Sequence, residues 1–349
     1  MSDEIALNPQ QLITALTAAG KARLRILIKG APGIGKTQIV RAVAAALGAT
    51  LITMHPSVSD PTDFKGLPFI VDGHAEFLPF GELEKVLNAK SLTILFLDDL
   101  GQGSTAVQAG VMQLADRIKG NQNVVLWAAT NERVHRAGVT GLLEPVKSRF
   151  DSIIKLVTDF SSWKVWAVDH DIDYRIAAYL EQHQDALHKF DPTVDIVNQP
   201  MPRTWESSSN VLKLDMANGD VRFAMLIGAV GQGAATSLHA WLKLAEQAPS
   251  RDEVIADPHN TRIPAESSAM YAVVSSLALA FEKKEFPAIA IYAQRMYAAD
   301  NGECCALLLK DIYRKCPEIE KTQAFTKLAS SPLSKLLLEA VRFNQTTGA

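Results

Sequence analysis

The segment Gly30–Thr37, which reads GAPGIGKT, constrains the fold more than any other part of the sequence. It fits the pattern G-x4-G-K-[ST] and lies between an apolar run at 23–29 (RLRILIK) and a helical pattern at 37–47 (TQIVRAVAAAL). Its glycines permit a tight loop whose backbone N–H groups point at phosphate oxygens. The dipole of the helix that follows the loop also favours a bound anion. The sequence therefore predicts a phosphate-binding loop between a strand and a helix.

The side chains at the end of this loop have separate expected roles. Lys36 is expected to reach the β- and γ-phosphates of a nucleotide, and the Thr37 hydroxyl is expected to bind Mg²⁺. We therefore expect ATP and Mg²⁺ as cofactors; a guanine nucleotide stays open, although the chain has no Asn-Lys-x-Asp stretch. The predicted nucleotide-binding residues are Gly30, Ala31, Pro32, Gly33, Ile34, Gly35, Lys36, Thr37 and Gln38.

Two further apolar runs end in polar side chains that suit the same site. Residues 92–97 (LTILFL) precede Asp98 and Asp99. Residues 124–129 (VVLWAA) precede a Thr-Asn pair that ends at Asn131. Because the carboxyl ends of parallel strands meet at one edge of a sheet, these side chains are expected beside the loop. Asp98 is expected to hold Mg²⁺ through water, and Asp99 and Asn131 are expected to position the attacking water.

The first part of the chain alternates strand-like and helix-like segments. Near-continuous apolar runs predict buried parallel strands with helices on both faces. We therefore predict an α/β P-loop NTPase fold with a parallel five-stranded sheet sandwiched by helices. A hairpin is predicted over 68–78, with its turn at Asp72-Gly73. The predicted strands of the sheet are 23–29, 49–54, 92–97, 124–129 and 153–157.

After residue 158 the whole pattern is helical, which predicts an all-α lid followed by an all-α C-terminal region. We expect an α/β domain over 1–157, a helical lid domain over 158–247 and a helical C-terminal extension over 248–349. The glycines of 228–233 favour close helix packing over a second phosphate loop, because no strand precedes them. The predicted helices are 161–170, 173–189, 203–216, 220–247, 266–282, 286–299, 302–315 and 322–343.

Composition excludes several other classes of protein. The net charge is −3, and residues 1–160 carry 16 basic against 15 acidic side chains, so a dedicated nucleic-acid-coating face is not favoured. The three cysteines form neither a disulfide framework nor a zinc-site spacing. The acidic, polar N-terminus does not resemble a signal peptide, and no apolar run is long enough to span a membrane. We expect a cytoplasmic protein.

The order of these motifs, followed by Ser148-Arg149-Phe150-Asp151, resembles the AAA+ ATPases. Residues 96–103 (FLDDLGQG) and 107–114 (VQAGVMQL) are similar to the MoxR-like branch of that family. The branch carries an insert in its second helix, and the resemblance implies that role for the hairpin 68–78. The resemblance covers about 1–245, and the order of the motifs is far more specific than any one of them.

The resemblance also implies roles for two arginines. Arg149 corresponds to the arginine finger that stabilises the departing phosphoryl group on a neighbouring subunit. Arg203, in the stretch MPRTWES, corresponds to the arginine that contacts the γ-phosphate from the lid of its own subunit. The family usually has Glu where this chain has Asp99, so we expect ATP binding to survive and hydrolysis to be slow. Glu132 is a remote substitute for the missing glutamate.

Three functions are compatible with these residues. The leading hypothesis is an ATPase that acts as a ring-shaped chaperone or remodelling motor on a client or adaptor protein. The resemblance implies a homo-oligomeric ring, with a hexamer favoured, and a partner that bears a von Willebrand A domain. The alternatives are a nucleic-acid-associated or defence-system motor, which the balanced charge disfavours, and a nucleotide-gated switch with slow hydrolysis.

Overall fold

The structure is a computed structural model that describes residues 5–132, 141–191, 196–214, 216 and 218–346. Its contacts divide the chain into two compact units. The first unit contains residues 1–163, 190–196 and 201–203, and the second contains residues 164–189, 197–200 and 204–349. The second unit thus includes residues on both sides of position 248. The domain boundaries at 158 and 248 stay predictions.

The first unit is built on a parallel six-stranded sheet with helices packed on its two faces. Its strand order is β1-β8-β2-β7-β6-β3, and β4 and β5 form a separate two-stranded sheet. The strands are β1 (Ala6–Leu7), β2 (Ile26–Gly30), β3 (Thr50–Met54), β4 (Leu67–Val71), β5 (His74–Leu78), β6 (Thr93–Leu97), β7 (Val124–Asn131) and β8 (Ser152–Leu156). The helices are α1 (Pro9–Ala22), α2 (Lys36–Ala46), α3 (Thr62–Lys65), α4 (Gly81–Leu87), α5 (Thr105–Arg117) and α6 (Glu144–Lys147).

The predicted fold class is confirmed, with one correction to the number of strands. The sheet has six strands rather than five, because Ala6 and Leu7 pair in parallel with Lys155 and Leu156 of β8. A strand of two residues is too short to show the alternation or the apolar run by which a strand is recognised in a sequence.

Alternate residues of the central strands enter two separate apolar cores. Leu95 and Leu97 of β6 belong to one cluster, and Ile94 and Phe96 belong to the other. This follows from the strand period of two, which sends successive side chains to opposite faces. With a core on each face, all five residues of β6 are buried. The near-continuous apolar run of this strand therefore reflects a sheet that is covered on both sides.

The hairpin predicted over 68–78 is confirmed as β4 and β5. The two strands are antiparallel, with Val71 opposite His74 across the turn. Asp72 and Gly73 have φ angles of +50° and +80°, as a two-residue turn matched to the strand twist requires.

The second unit is helical, with α7 (Phe160–Asp169) beginning just before the division. Its other helices are α8 (Tyr174–Gln182), α9 (Pro202–Lys213), α10 (Gly219–Val230), α11 (Gln232–Ala245), α12 (Arg251–Ala256), α13 (Ser267–Leu279), α14 (Phe286–Ala298), α15 (Gly302–Lys315), α16 (Gln323–Ala329) and α17 (Ser334–Thr346). The single helices predicted over 220–247 and 322–343 are wrong, because each of these segments forms two helices. Helix α12 was not predicted; it begins with a capping box between Ser250 and Glu253.

Gly231 separates α10 from α11. Its φ of +85° and ψ of +158° lie in a region that only glycine adopts readily. A Cβ at this position would lie 2.7 Å from the carbonyl oxygen of Asn198. Among the described residues, nothing lies within 4 Å of a Cβ added at Gly228 or Gly233, so close helix packing is the wrong interpretation for these two glycines.

Candidate functional site

The glycine loop connects the end of β2 to the start of α2 at the carboxyl edge of the sheet. Gly35 is the N-cap of α2 with φ +94°, and Gly33 has φ +72°. A Cβ on Gly33 would also lie 2.2 Å from the Met201 Sδ, so this position requires glycine for both reasons. Ala31 and Ile34 are buried and Gln38 is exposed. The helix therefore presents its free N–H groups at the loop, where an anion is favoured.

Lys36 lies folded into the loop. Its Nζ donates to the carbonyl oxygens of Gly30 (3.1 Å) and Ala31 (2.7 Å) and to Oδ1 of Asn131 (2.8 Å). Burial lowers the pKa of Lys36 to about 8, and the negative charges of Asp99 and Asp98 oppose that shift. The ammonium is therefore a poorly solvated positive charge, which a phosphate would stabilise.

Thr37 and Asp98 form the pair expected at a metal. The Thr37 hydroxyl donates to Oδ2 of Asp98 at 2.7 Å. Asp98 directly follows β6 and is held by its backbone N–H, which donates to the carbonyl oxygen of Met54 on β3. A hydroxyl and a carboxylate beside a phosphate loop suit Mg²⁺, which is usually bound by one or two protein oxygens, phosphates and water. The donor set fits the predicted metal.

Asp99 and Asn131 meet next to this pair. The Asn131 side-chain N–H donates to Oδ1 of Asp99 at 3.3 Å, while its Oδ1 accepts from Lys36. Asp99 has φ +56°, a left-handed conformation that Asp and Asn tolerate better than most residues. Burial, and then the negative charge of Asp98, raises the pKa of the Asp99 carboxyl. The arrangement places one carboxylate and one amide where they can order a water molecule.

The two predicted arginines have different surroundings. The backbone N–H of Arg203 donates to the carbonyl oxygen of Gly33 at 3.3 Å, and the Arg203 charge contributes to the pKa values of Lys36 and Asp99. Arg149 instead donates to Asp116 (2.8 Å) and to the carbonyl oxygen of Pro145 (3.1 Å). Within the described residues, Arg149 makes no hydrogen bond to the phosphate loop.

The sequence analysis did not identify His55, which lies near the site. The contacts of Glu132 also count against its role as a substitute for the missing glutamate. His55 follows β3, whose register places Met54 beside Leu97. Burial raises the pKa of Asp99, and His55 makes the smallest of the contributions that oppose this rise. The signal was available, because a polar residue after a strand adjacent to β6 must lie at the same edge. Glu132 forms an ion pair with Lys155 at 3.1 Å.

Residues 26–157 match the family described as "ATPase family associated with various cellular activities (AAA)". The glycine loop, Asp98, Asp99 and Asn131 lie within this range. Residues 26–157 are therefore similar to an AAA ATPase domain.

Two curated relatives match part of this chain. The human ATPase family gene 2 protein homolog B is 35% identical over 138 residues, and the rat protein of the same name is 34% identical over 129 residues. These matches include 37% and 34% of this chain, but only 18% and 16% of the relatives' own lengths. The similarity is therefore confined to a part of each protein.

One solved structure that matches this chain is that of the Thermotoga maritima RuvB Holliday junction branch migration motor. It has a TM-score of 0.37 and 16% identity, covering 78% of this chain and 86% of that one.

In the part of the chain that the structure describes, no helix is both long and apolar enough to cross a membrane.

Proposed function

We propose that this chain is a Mg²⁺-dependent ATPase that assembles into a ring and remodels a partner protein. The observation that carries the proposal is the contact between residues from three strand ends. Lys36 and Thr37 of the loop contact Asn131 and Asp98, and Asn131 contacts Asp99. The contacts among these five side chains support the roles that we propose for them.

In this proposal the residues of the site have separate roles. The loop N–H groups and Lys36 bind the phosphates, while Thr37 and Asp98 hold Mg²⁺, which neutralises phosphate charge when bound. Asp99 and Asn131 orient the water that attacks. Arg203 adds a positive charge from the same subunit.

The contacts of Arg149 support assembly into a ring. Its side chain bonds Asp116 and Pro145 and so is engaged away from the loop of its own subunit. An arginine that stabilises phosphoryl transfer must approach the γ-phosphate, so its natural target is the nucleotide of another copy. The hexameric state and the MoxR-like branch are part of the proposal on the strength of the motif resemblance.

The hairpin β4–β5 supports a protein partner. Phe69, Ile70 and Phe77 are 53%, 80% and 56% exposed, an unusual concentration of apolar side chains on so small a sheet. We assign the hairpin to client or adaptor binding, with a von Willebrand A domain protein as the partner that the resemblance suggests. The near-balanced charge makes a nucleic-acid or defence-system motor the weaker alternative.

One observation favours a second candidate, a nucleotide-gated switch. Asp99 has a side chain one methylene shorter than glutamate, and Asn131 already bonds one of its oxygens. A water between this carboxylate and the γ-phosphate would then be poorly placed, so that ATP is bound for long periods and hydrolysed slowly.

Steady-state ATP hydrolysis against protein concentration tests both candidates. Arg149→Ala protein is mixed with the wild type at a fixed total concentration. The ring proposal requires specific activity that rises with concentration and falls steeply with the fraction of variant. Absence of hydrolysis at every concentration, with ATP still bound, favours the switch. A rate that falls only in proportion to the fraction of variant contradicts shared sites.

A further inference from the structure

Helix α5 runs between the strand end that carries Asp98 and Asp99 and the surroundings of Arg149. It follows Asp98, Asp99 and a short 3-10 turn, and its last turn lies beside Arg149. With 13 residues, it is about 20 Å long. Two of its side chains, Gln108 near the start and Asp116 near the end, bond the segment that carries Arg149.

Gln108 makes the first connection. It is 2% exposed, and its side-chain N–H groups donate to the carbonyl oxygens of Gly103 (3.0 Å) and Gly141 (2.9 Å). Its Oε1 accepts from the backbone N–H of Leu143 at 3.0 Å. Gly103 ends the turn after Asp99, and Leu143 caps α6. A buried, well-satisfied polar group of this kind fixes the position of the elements it joins.

Asp116 makes the second connection, directly to the Arg149 guanidinium. Its Oδ2 accepts from Nη2 at 2.8 Å, and the carbonyl oxygen of Pro145 accepts from Nη1 at 3.1 Å. The other carboxylate oxygen pairs with Lys119 at 2.7 Å. Two acceptors on different elements fix the plane of the guanidinium. In the described part of the chain, the Arg149 Nε is buried without a partner, and the second N–H of each Nη is left to donate to phosphate.

We infer that Asp116 is a positioning residue that aims Arg149 at the nucleotide of a neighbouring subunit. The inference rests on the proposed function, in which Arg149 acts on another copy of this chain. A free arginine samples many rotamers, and holding it in one reduces the entropy lost when it meets the γ-phosphate. Lys119 also helps to position Arg149, because it holds the Asp116 carboxylate. It keeps the net charge of Asp116, Lys119 and Arg149 positive.

Asp116→Asn tests the inference without threatening the fold, because the pair is on the surface and surface pairs contribute little to stability. We expect kcat to fall roughly tenfold, with KM for ATP and the unfolding temperature unchanged. Asp116→Glu, which keeps the charge, should recover much of the rate. The matched control is Glu82→Gln, which removes another exposed acid from an ion pair, with Lys85, and should hydrolyse ATP like the wild type.

Complementation between subunits separates positioning from a purely structural role. The donor is Asp99→Asn, whose own site is impaired but whose Arg149 and Asp116 are intact. Mixed with Arg149→Ala or with Asp116→Asn protein, it should raise hydrolysis above the sum of the two proteins measured alone. A structural defect within the Asp116→Asn site would not be rescued in this way.

The outcomes distinguish the two proposals. If Arg149→Ala is not rescued by the donor, shared sites are refuted, and the inference fails with the proposed function. If Arg149→Ala is rescued but Asp116→Asn is not, or if Asp116→Asn already has the wild-type rate, the positioning role is overturned and the ring proposal stands.

Discussion

The pKa of Lys36 gives a pH dependence of ATP binding that can be worked out in advance. In the nucleotide-free protein burial lowers this pKa to about 8. Phosphate oxygens favour the protonated ammonium, so the pKa of Lys36 is higher in the complex than in the free protein. Affinity should therefore be full below pH 8 and should weaken as the pH rises above it.

The magnitude follows from the fraction of Lys36 that is protonated. With a pKa of about 8, about one free site in eleven is protonated at pH 9. The Kd for ATP should then be about tenfold higher at pH 9 than at pH 7, equivalent to about 1.4 kcal/mol. An ordinary lysine, with a pKa of about 10.4, would leave Kd almost constant over this range.

The measurement is a titration with a fluorescent ATP analogue between pH 7 and 9.5, where the triphosphate charge is nearly constant. Lys36→Arg is the matched control, because a guanidinium keeps its proton throughout and should give a Kd that is weaker but independent of pH. A flat Kd for the wild type, with circular dichroism showing intact protein, would refute the assigned burial and charge of Lys36.

Two further predictions concern Asp99 and Gly231. Asp99→Glu should raise the hydrolysis rate by up to roughly tenfold at unchanged Kd for ATP, since the longer acid reaches the water better; a collapse of the rate would show that the site is built around the shorter side chain. Gly231→Ala should destabilise the protein by about 1–3 kcal/mol in urea unfolding because of its φ of +85°, whereas Gly228→Ala, with open space in α10, should be neutral or stabilising.

The parts of the fold that were predictable are those where one short segment carries its own constraint. The loop Gly30–Thr37 needs small residues and a lysine at fixed spacing, and β6 needs an unbroken apolar run because it is buried on both faces. The hairpin turn at Asp72-Gly73 is similar, since its φ angles are positive. Such constraints are local, so they can be read from a sequence.

Other features depend on partners far along the chain. Strand β1 exists only because β8 offers it an edge about 150 residues later. Gly231 resembled a helix-packing glycine, but its φ of +85° ends a helix, and the backbone that approaches it is that of the distant Asn198. The contact between Asp116 on α5 and Arg149 spans 33 residues. No periodicity or motif records a contact of this kind.

The backbone at Asp99 offers a physical reason for the unusual acid. With φ +56° and ψ +39°, the residue is left-handed, and Asp is tolerated there better than Glu because its short side chain can bond locally. Asn131, which is distant in the sequence, donates to the same carboxylate. A glutamate would therefore reach the water better but lower the free energy of unfolding by about 1 kcal/mol. A variant that is less stable yet hydrolyses ATP faster would show that this position sets the balance between motor and switch.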